Sequence, residues 1–148
     1  MANNDNPSQI QTADASPVAS SLIETFRSIG YSFETALADI IDNAITANAT
    51  EIRIHPVWAG GKSYVTIVDN GYGMSNQELI AALVPGSKDP LQERSEKDLG
   101  RFGLGLKTAS FSQCRCLSVV YNKKRLETVY WTWRLNHVAK TNRWENIR

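Results

Sequence analysis

The chain has 148 residues, of which 42% are hydrophobic and 21% charged, enough for one globular domain with a real core. Its formal net charge of +1 creates no overall basic field, so charge gives no support to DNA binding. No apolar run approaches the roughly 20 residues of a membrane helix and the polar start lacks a signal-peptide core, so we expect a cytoplasmic protein without a membrane partner.

The first half of the chain predicts three helices and a hairpin. Residues 1–16 are polar and are expected to form a disordered lead-in to one domain over 17–148. Helical spacing of apolar residues predicts helices at 17–29 and 33–47, the second capped by Ser32. Strong β-formers predict strands at 52–56 and 64–68, and Ser75 can cap a helix ending near 83.

The second half opens with an irregular segment, 85–101, that is rich in charge and contains two prolines. Such loops inside compact domains are typically lids or disordered. A helix at 104–111 and strands at 117–121 and 126–135 follow. We therefore expect an α+β two-layer sandwich, with helices on one face of a mixed, mostly antiparallel sheet. The two cysteines, Cys114 and Cys116, are predicted to be reduced thiols.

The second predicted helix carries Asp39 and Asn43, which are four residues apart and therefore share a face. A carboxylate can take a proton from a positioned water, and a carboxamide oxygen is a suitable ligand for Mg²⁺. Taken alone, the pair is more simply a solvated polar face.

Two glycine motifs follow. In the first, Asp69 ends a strand and is followed by Gly71 and Gly73, an opening for a flat ligand or an ordinary tight turn. The second is a glycine cluster before Lys107, made of Gly100, Gly103 and Gly105. A glycine-rich loop entering a helix suits a phosphate, although taken alone the cluster is more simply a flexible turn.

In this order and within one domain, the three motifs resemble the GHKL ATPase superfamily. That group includes the gyrase B subunit, the ninety-kilodalton heat-shock chaperones, sensor histidine kinases, MutL and MORC proteins. The resemblance covers roughly 22–120. The sequence Gly-Arg-Phe-Gly-Leu-Gly-Leu-Lys is most similar to that of the MORC and MutL-like branch. This branch includes bacterial proteins found in phage-defence clusters.

The resemblance implies an ATP site with named roles. Asp39 would be the hydrolytic base and Asn43 the Mg²⁺ ligand. Asp69 would receive the adenine amino group, with Gly73 beneath the ring and with Gly71 and Met74 in the same nucleotide-binding loop. The phosphates would lie on Gly100, Arg101, Phe102, Gly103, Leu104, Gly105 and Lys107, and the ATP lid would be 85–101.

Two departures from the family pattern bear on activity. The usual base is a glutamate, and Asp39 is shorter by one methylene, roughly 1 Å of reach, which favours slow turnover. In the family, a later strand bears a threonine near the adenine, and we find no convincing counterpart of it here. A phosphate-contacting lysine from a second domain, present in MutL and MORC relatives, is not recognisable either. We therefore expect a domain lacking its C-terminal strand or strands, either a fragment or a minimal module.

The resulting hypothesis is Mg²⁺-dependent ATP binding and slow hydrolysis to ADP. The nucleotide would order the lid and so gate a homodimer or a protein partner, in a DNA-transaction or phage-defence system. Two alternatives stay open: a nucleotide-binding module that does not hydrolyse ATP, and the catalytic domain of a histidine kinase. The second is disfavoured because no dimerisation helix with a phospho-acceptor histidine is recognisable.

Overall fold

In the computed structural model, the described residues are 13–85, 105–123 and 127–148, without the side chains of 122, 123 and 127. Within these ranges lie the helices α1 (Ala19–Arg27), α2 (Phe33–Thr46), α3 (Asn76–Leu83), α4 (Gly105–Gln113) and α5 (Leu135–Thr141). The strands are β1 (Ile52–Val57), β2 (Tyr64–Asp69), β3 (Cys116–Lys123) and β4 (Glu127–Arg134). The predicted lead-in up to residue 12, the predicted lid from residue 86 on, and Gly100, Arg101, Phe102, Gly103 and Leu104 lie outside them.

The α+β prediction is confirmed. The strands form two antiparallel pairs, β1 with β2 and β3 with β4, and no ladder joins the two pairs within the described ranges. Ile54 lies opposite Ile67 in the first pair, and Val119 lies opposite Trp131 in the second.

Local signals in the sequence account for most element boundaries. The Ser32 side chain accepts a hydrogen bond from the Thr35 backbone at the start of α2. Ser75 and Glu78 form a complete capping box at the start of α3, which satisfies two backbone donors reciprocally. Asn48 adopts the left-handed conformation just after α2, with φ of 56°.

The C-terminal helix α5 corrects the sequence prediction, which extended the last strand to Leu135 and placed no helix after it. The strand ends at Arg134, and α5 begins at once with Leu135. Leu135 and Val138 are both buried, and their spacing places them on one helical face against the core. Because α5 has only seven residues, its periodicity is too short to stand out from the strand before it.

The hydrophobic core lies between the helices and the β3–β4 pair. Phe111 of α4 meets the ring of Trp133 edge to face, with ring centroids 5.8 Å apart. The buried cluster comprises Ala19, Ile23, Leu79, Leu83, Phe111, Val129, Trp133, Leu135 and Val138. Helix α4 is central to this arrangement because it packs against α1, α2 and β3.

Buried and half-buried side chains satisfy carbonyl groups at two helix ends. Lys107, which is completely buried, donates from Nζ to the carbonyl oxygens of Ala82 (2.7 Å) and Val84 (2.9 Å) at the end of α3. Trp133 donates to the intervening carbonyl of Leu83. At the end of α4, Arg27 donates to the carbonyl of Phe111 at 2.6 Å. Cationic donors at a helix C-terminus satisfy orphan carbonyls and oppose the negative end of the helix dipole.

Both cysteines are free thiols. Burial raises the pKa of the Cys114 thiol, so the group stays protonated and weakly nucleophilic near neutral pH. Among the described helices, none combines the length and the apolar character needed to cross a membrane.

We expect Lys107→Met to lower the melting temperature by several degrees. Methionine fills a similar volume but donates no hydrogen bond, and unpaired buried acceptors cost about 1–3 kcal/mol. Differential scanning calorimetry of the nucleotide-free protein measures the change, with Lys62→Met, at an exposed lysine, as the control. Equal melting temperatures for the two variants would contradict a structural role for the Lys107 ammonium.

Candidate functional site

One face of α2 presents the predicted catalytic and metal-binding side chains. Asp39 is half-buried and Asn43 is exposed. Asn43 donates from Nδ2 to the backbone carbonyl of Asp39 at 2.8 Å. This bond holds the carboxamide with Oδ1 as its remaining acceptor, the atom a hard cation would use.

The Asp39 carboxylate faces the start of α4. A Cβ atom added to Gly105 would lie 3.7 Å from Asp39 Oδ2, because α2 and α4 pack side by side. The first backbone N–H groups of a helix lack intrahelical partners and carry its positive dipole end. A carboxylate and a potential anion site are therefore adjacent at this point.

Residues 69–73 are called here the 69–73 loop. They lead from the end of β2 toward α3 and are hydrogen-bonded to the end of α2. Asp69 is exposed, and its Oδ1 accepts a hydrogen bond from the Gly71 N–H at 2.8 Å. Asn70 Oδ1 accepts from the backbone N–H groups of Thr50 and Glu51, and the Tyr72 N–H donates to the carbonyl of Ala47 at 2.9 Å. Asn70 is thus a positioning residue that the sequence analysis did not single out.

Both glycines of this loop are required by close contacts within the protein. A Cβ on Gly71 would lie 2.8 Å from the Cβ of Ala47, which no real side chain tolerates. Gly73 has φ of 68°, and a Cβ there would overlap the ring of Tyr121 on β3, lying 2.6 Å from Cδ2. The motif predicts that the ring of a flat ligand approaches this backbone, and in the structure a ring that does so belongs to Tyr121.

Two buried hydroxyl groups, on Tyr121 and on Thr46 next to Ala47, lack a hydrogen-bond partner in the part of the chain that the structure describes. Leaving such a group unsatisfied costs on the order of 1–3 kcal/mol. The sequence analysis missed both residues. A signal for Thr46 did exist, because it lies three residues after Asn43 and so shares its side of the helix.

The remaining predicted residues divide by position. Met74 is partly buried and packs against the hydrophobic core. Lys107, predicted to contact phosphate, is directed inward to the end of α3 in this structure, and its phosphate contact stays a prediction. The phosphate-loop residues 100–104 lie outside the described ranges, so the structure brings together Asp39, Asn43 and Gly105, with the 69–73 loop at the far end of α2.

The donor set is compatible with a magnesium ion held mainly by a substrate. The described residues contain no group of three or more His, Cys, Asp or Glu side chains that could form a protein-only metal cage. Mg²⁺ commonly takes one or two protein ligands and completes its coordination with phosphate oxygens and water. Asn43 Oδ1, on the same face of α2 as the Asp39 carboxylate, fits that pattern.

A separate apolar groove of about 320 Å³ lies away from these residues. It is lined by Pro17, Leu22, Val84, Pro85, Trp133, Trp144 and Asn146. Apart from Pro85, the first residue of the predicted lid, no residue predicted to contact the nucleotide lines it, and its apolar walls offer little to a charged ligand.

Comparison with known proteins identifies the family of this chain and several relatives. The family model described as "Histidine kinase-, DNA gyrase B-, and HSP90-like ATPase" matches residues 31–148. The chain is 29% identical over 94 residues to "ATPase morc-1" of Caenorhabditis elegans, which covers 64% of this chain and 11% of that protein. It is 30% identical over 101 residues to the DNA mismatch repair protein MutL of Thermosipho melanesiensis, covering 64% of this chain and 18% of that protein.

A second MutL, from Trichlorobacter lovleyi, is 35% identical over 65 residues, which is 44% of this chain and 10% of that protein. The chain thus spans less than a fifth of the length of these relatives. The family match covers both α2 with Asp39 and Asn43 and the 69–73 loop, and it extends through α4 to the end of the chain. The chain therefore belongs to the histidine kinase-, DNA gyrase B- and HSP90-like ATPase family, the GHKL superfamily, and its similarity is to the MORC and MutL proteins.

Proposed function

We propose that this domain binds ATP together with Mg²⁺ and hydrolyses it slowly to ADP and phosphate. The observation that carries the proposal is the juxtaposition of Asp39 with the start of α4, where its carboxylate lies 3.7 Å from the Cβ position of Gly105. Anions favour helix N-termini, so the terminal phosphates would lie within reach of this carboxylate.

Each residue of the proposed site has a role matched to its chemistry. Asp39 would accept a proton from the water that attacks the terminal phosphorus, as the bond to ADP breaks. Asn43 would hold Mg²⁺, which neutralises phosphate charge. Asp69 would accept a hydrogen bond from the exocyclic amino group of adenine, since its carboxylate is exposed at the mouth of the 69–73 loop.

The consequence of nucleotide binding rests on family resemblance alone. The terminal phosphate would order the segment 85–101 and thereby promote a homodimer or a contact with a protein partner. The relatives are named as a MORC ATPase and as mismatch repair proteins, so a DNA transaction is the natural setting to test. A phage-defence role is a further setting that the resemblance suggests.

The non-hydrolysing module is the second candidate, because Asp39 is shorter than the usual glutamate. In that case the domain would bind ATP as a switch or a structural element. Binding and turnover must therefore be measured separately.

The adenine assignment predicts that Asp69→Asn weakens binding of a non-hydrolysable ATP analogue by more than about 10-fold, because a charge-assisted hydrogen bond is lost. Isothermal titration calorimetry with Mg²⁺ present measures the affinities. Glu34→Gln, which removes an exposed carboxylate in the first turn of α2, is the matched control and should bind as wild type does. Equal affinity for Asp69→Asn and Glu34→Gln would refute the assignment.

The catalytic assignment predicts that Asp39→Ala retains analogue binding and loses turnover by about 100-fold or more, the usual contribution of a general base. Phosphate release measures turnover, with and without DNA, and Glu34→Gln again serves as control. Turnover unchanged in Asp39→Ala would remove this carboxylate from the mechanism. No phosphate release by wild type, with binding intact, would favour the non-hydrolysing module.

The reach of the carboxylate can be tested in the opposite direction. We expect Asp39→Glu to increase the turnover rate, because the added methylene restores roughly 1 Å of reach toward the attacking water. Single-turnover phosphate release separates this effect from product dissociation. A rate below that of wild type would show that the aspartate already has the correct reach.

A further inference from the structure

The two orphaned hydroxyls belong to Tyr121, whose ring contacts the 69–73 loop, and to Thr46, the neighbour of a residue that contacts it. Thr46 immediately precedes Ala47, whose Cβ would meet a side chain at Gly71 and whose carbonyl accepts the Tyr72 N–H. Tyr121 packs its ring against Gly73 from β3. The end of α2 and β3 thus bring the two residues that carry these hydroxyls, called here the hydroxyl pair, to the second half of this loop, around Gly71 and Gly73.

The state of Thr46 is unusual for a helical threonine in this chain. Thr25 donates to the Ser21 carbonyl at 3.0 Å, and Thr141 donates to the His137 carbonyl at 3.1 Å, the ordinary bond to the residue four positions earlier. Thr46 lies in the last turn of α2, yet its Oγ1 is buried without a partner in the described ranges. Its hydroxyl therefore does not satisfy the helix to which it belongs.

The Tyr121 side chain likewise carries a hydroxyl that its surroundings do not account for. It follows Leu117 and Val119 at every second position of β3, and all three side chains pack against the hydrophobic core. Leu117 and Val119 carry no polar atom in their side chains, whereas Tyr121 adds a hydroxyl that is buried and unsatisfied in the described part of the chain. Phenylalanine would pack equally well, so core packing does not explain this hydroxyl.

We propose that the hydroxyl pair forms hydrogen bonds to the base of the bound nucleotide, directly or through water held with the base, and so contributes to the choice of base. The proposal rests on the proposed nucleotide site, in which Asp69 at the start of the same loop receives the base. Hydroxyl groups both donate and accept, and a site that must satisfy buried polar groups discriminates strongly against a ligand that leaves them unpaired.

The test uses Thr46→Val and Tyr121→Phe, which keep shape and remove only the hydroxyl. Controls are Thr25→Val, whose hydroxyl is bonded within its own helix, and Tyr130→Phe, at an exposed ring on β4. Calorimetry with a non-hydrolysable ATP analogue, its guanine counterpart and tripolyphosphate separates base contacts from phosphate contacts. Melting temperatures of the nucleotide-free variants report on the protein itself.

We expect each hydroxyl-pair variant to bind the ATP analogue about 3- to 10-fold more weakly, the loss of one hydrogen bond. Tripolyphosphate binding should be unchanged, the preference for adenine over guanine should shift, and the nucleotide-free melting temperature should stay equal or rise. Unchanged affinity for the ATP analogue would overturn the proposal, as would an equal loss for tripolyphosphate.

A lower melting temperature in the hydroxyl-pair variants, beyond that of the controls, would also overturn it, because the hydroxyls would then be satisfied without nucleotide. Wild-type protein that binds neither nucleotide would contradict the proposed function itself. Wild-type binding combined with unaffected variants would contradict only the role of the hydroxyl pair.

Discussion

The buried ammonium of Lys107 is the interaction on which the geometry of the site depends. The Lys107 side chain extends from α4, two residues after Gly105. Its ammonium donates hydrogen bonds to the carbonyl oxygens of Ala82 and Val84 at the end of α3. A buried charge is tolerated only when such partners satisfy it, so this contact fixes the relative position of two helix ends. Helix α4 also packs against α2, and this packing sets Gly105 beside the carboxylate of Asp39.

The site is organised along α2, which contributes at its middle and at its C-terminal end. Near the middle of the helix, the Asp39 carboxylate faces the start of α4, where charge is the main consideration. At its C-terminal end, Ala47 supports the 69–73 loop through a backbone hydrogen bond and through contact with Gly71. One rigid helix therefore spaces the proposed phosphate end from the proposed base end, and a rigid element holds such distances better than loops do.

Sequence reasoning identified the parts of this site that follow local rules. The cap at Ser32, the left-handed Asn48 and the shared face of Asp39 and Asn43 depend on residues near in sequence. It could not foresee that Lys107 would turn inward or that Tyr121 would lie on Gly73, because those contacts join residues 23 to 48 positions apart. It missed α5 because two buried residues in seven are too few to establish a helical period.

The central claim is that a nucleotide binds between α2, the 69–73 loop and the start of α4. A titration of ¹⁵N-labelled protein with a non-hydrolysable ATP analogue and Mg²⁺, followed by backbone amide resonances, tests it most directly. We expect the largest shifts at Asn43, Gly71, Gly73 and Gly105, with little change around the apolar groove near Trp144. Shifts confined to that groove, or spread without any focus on α2 and the 69–73 loop, would contradict it.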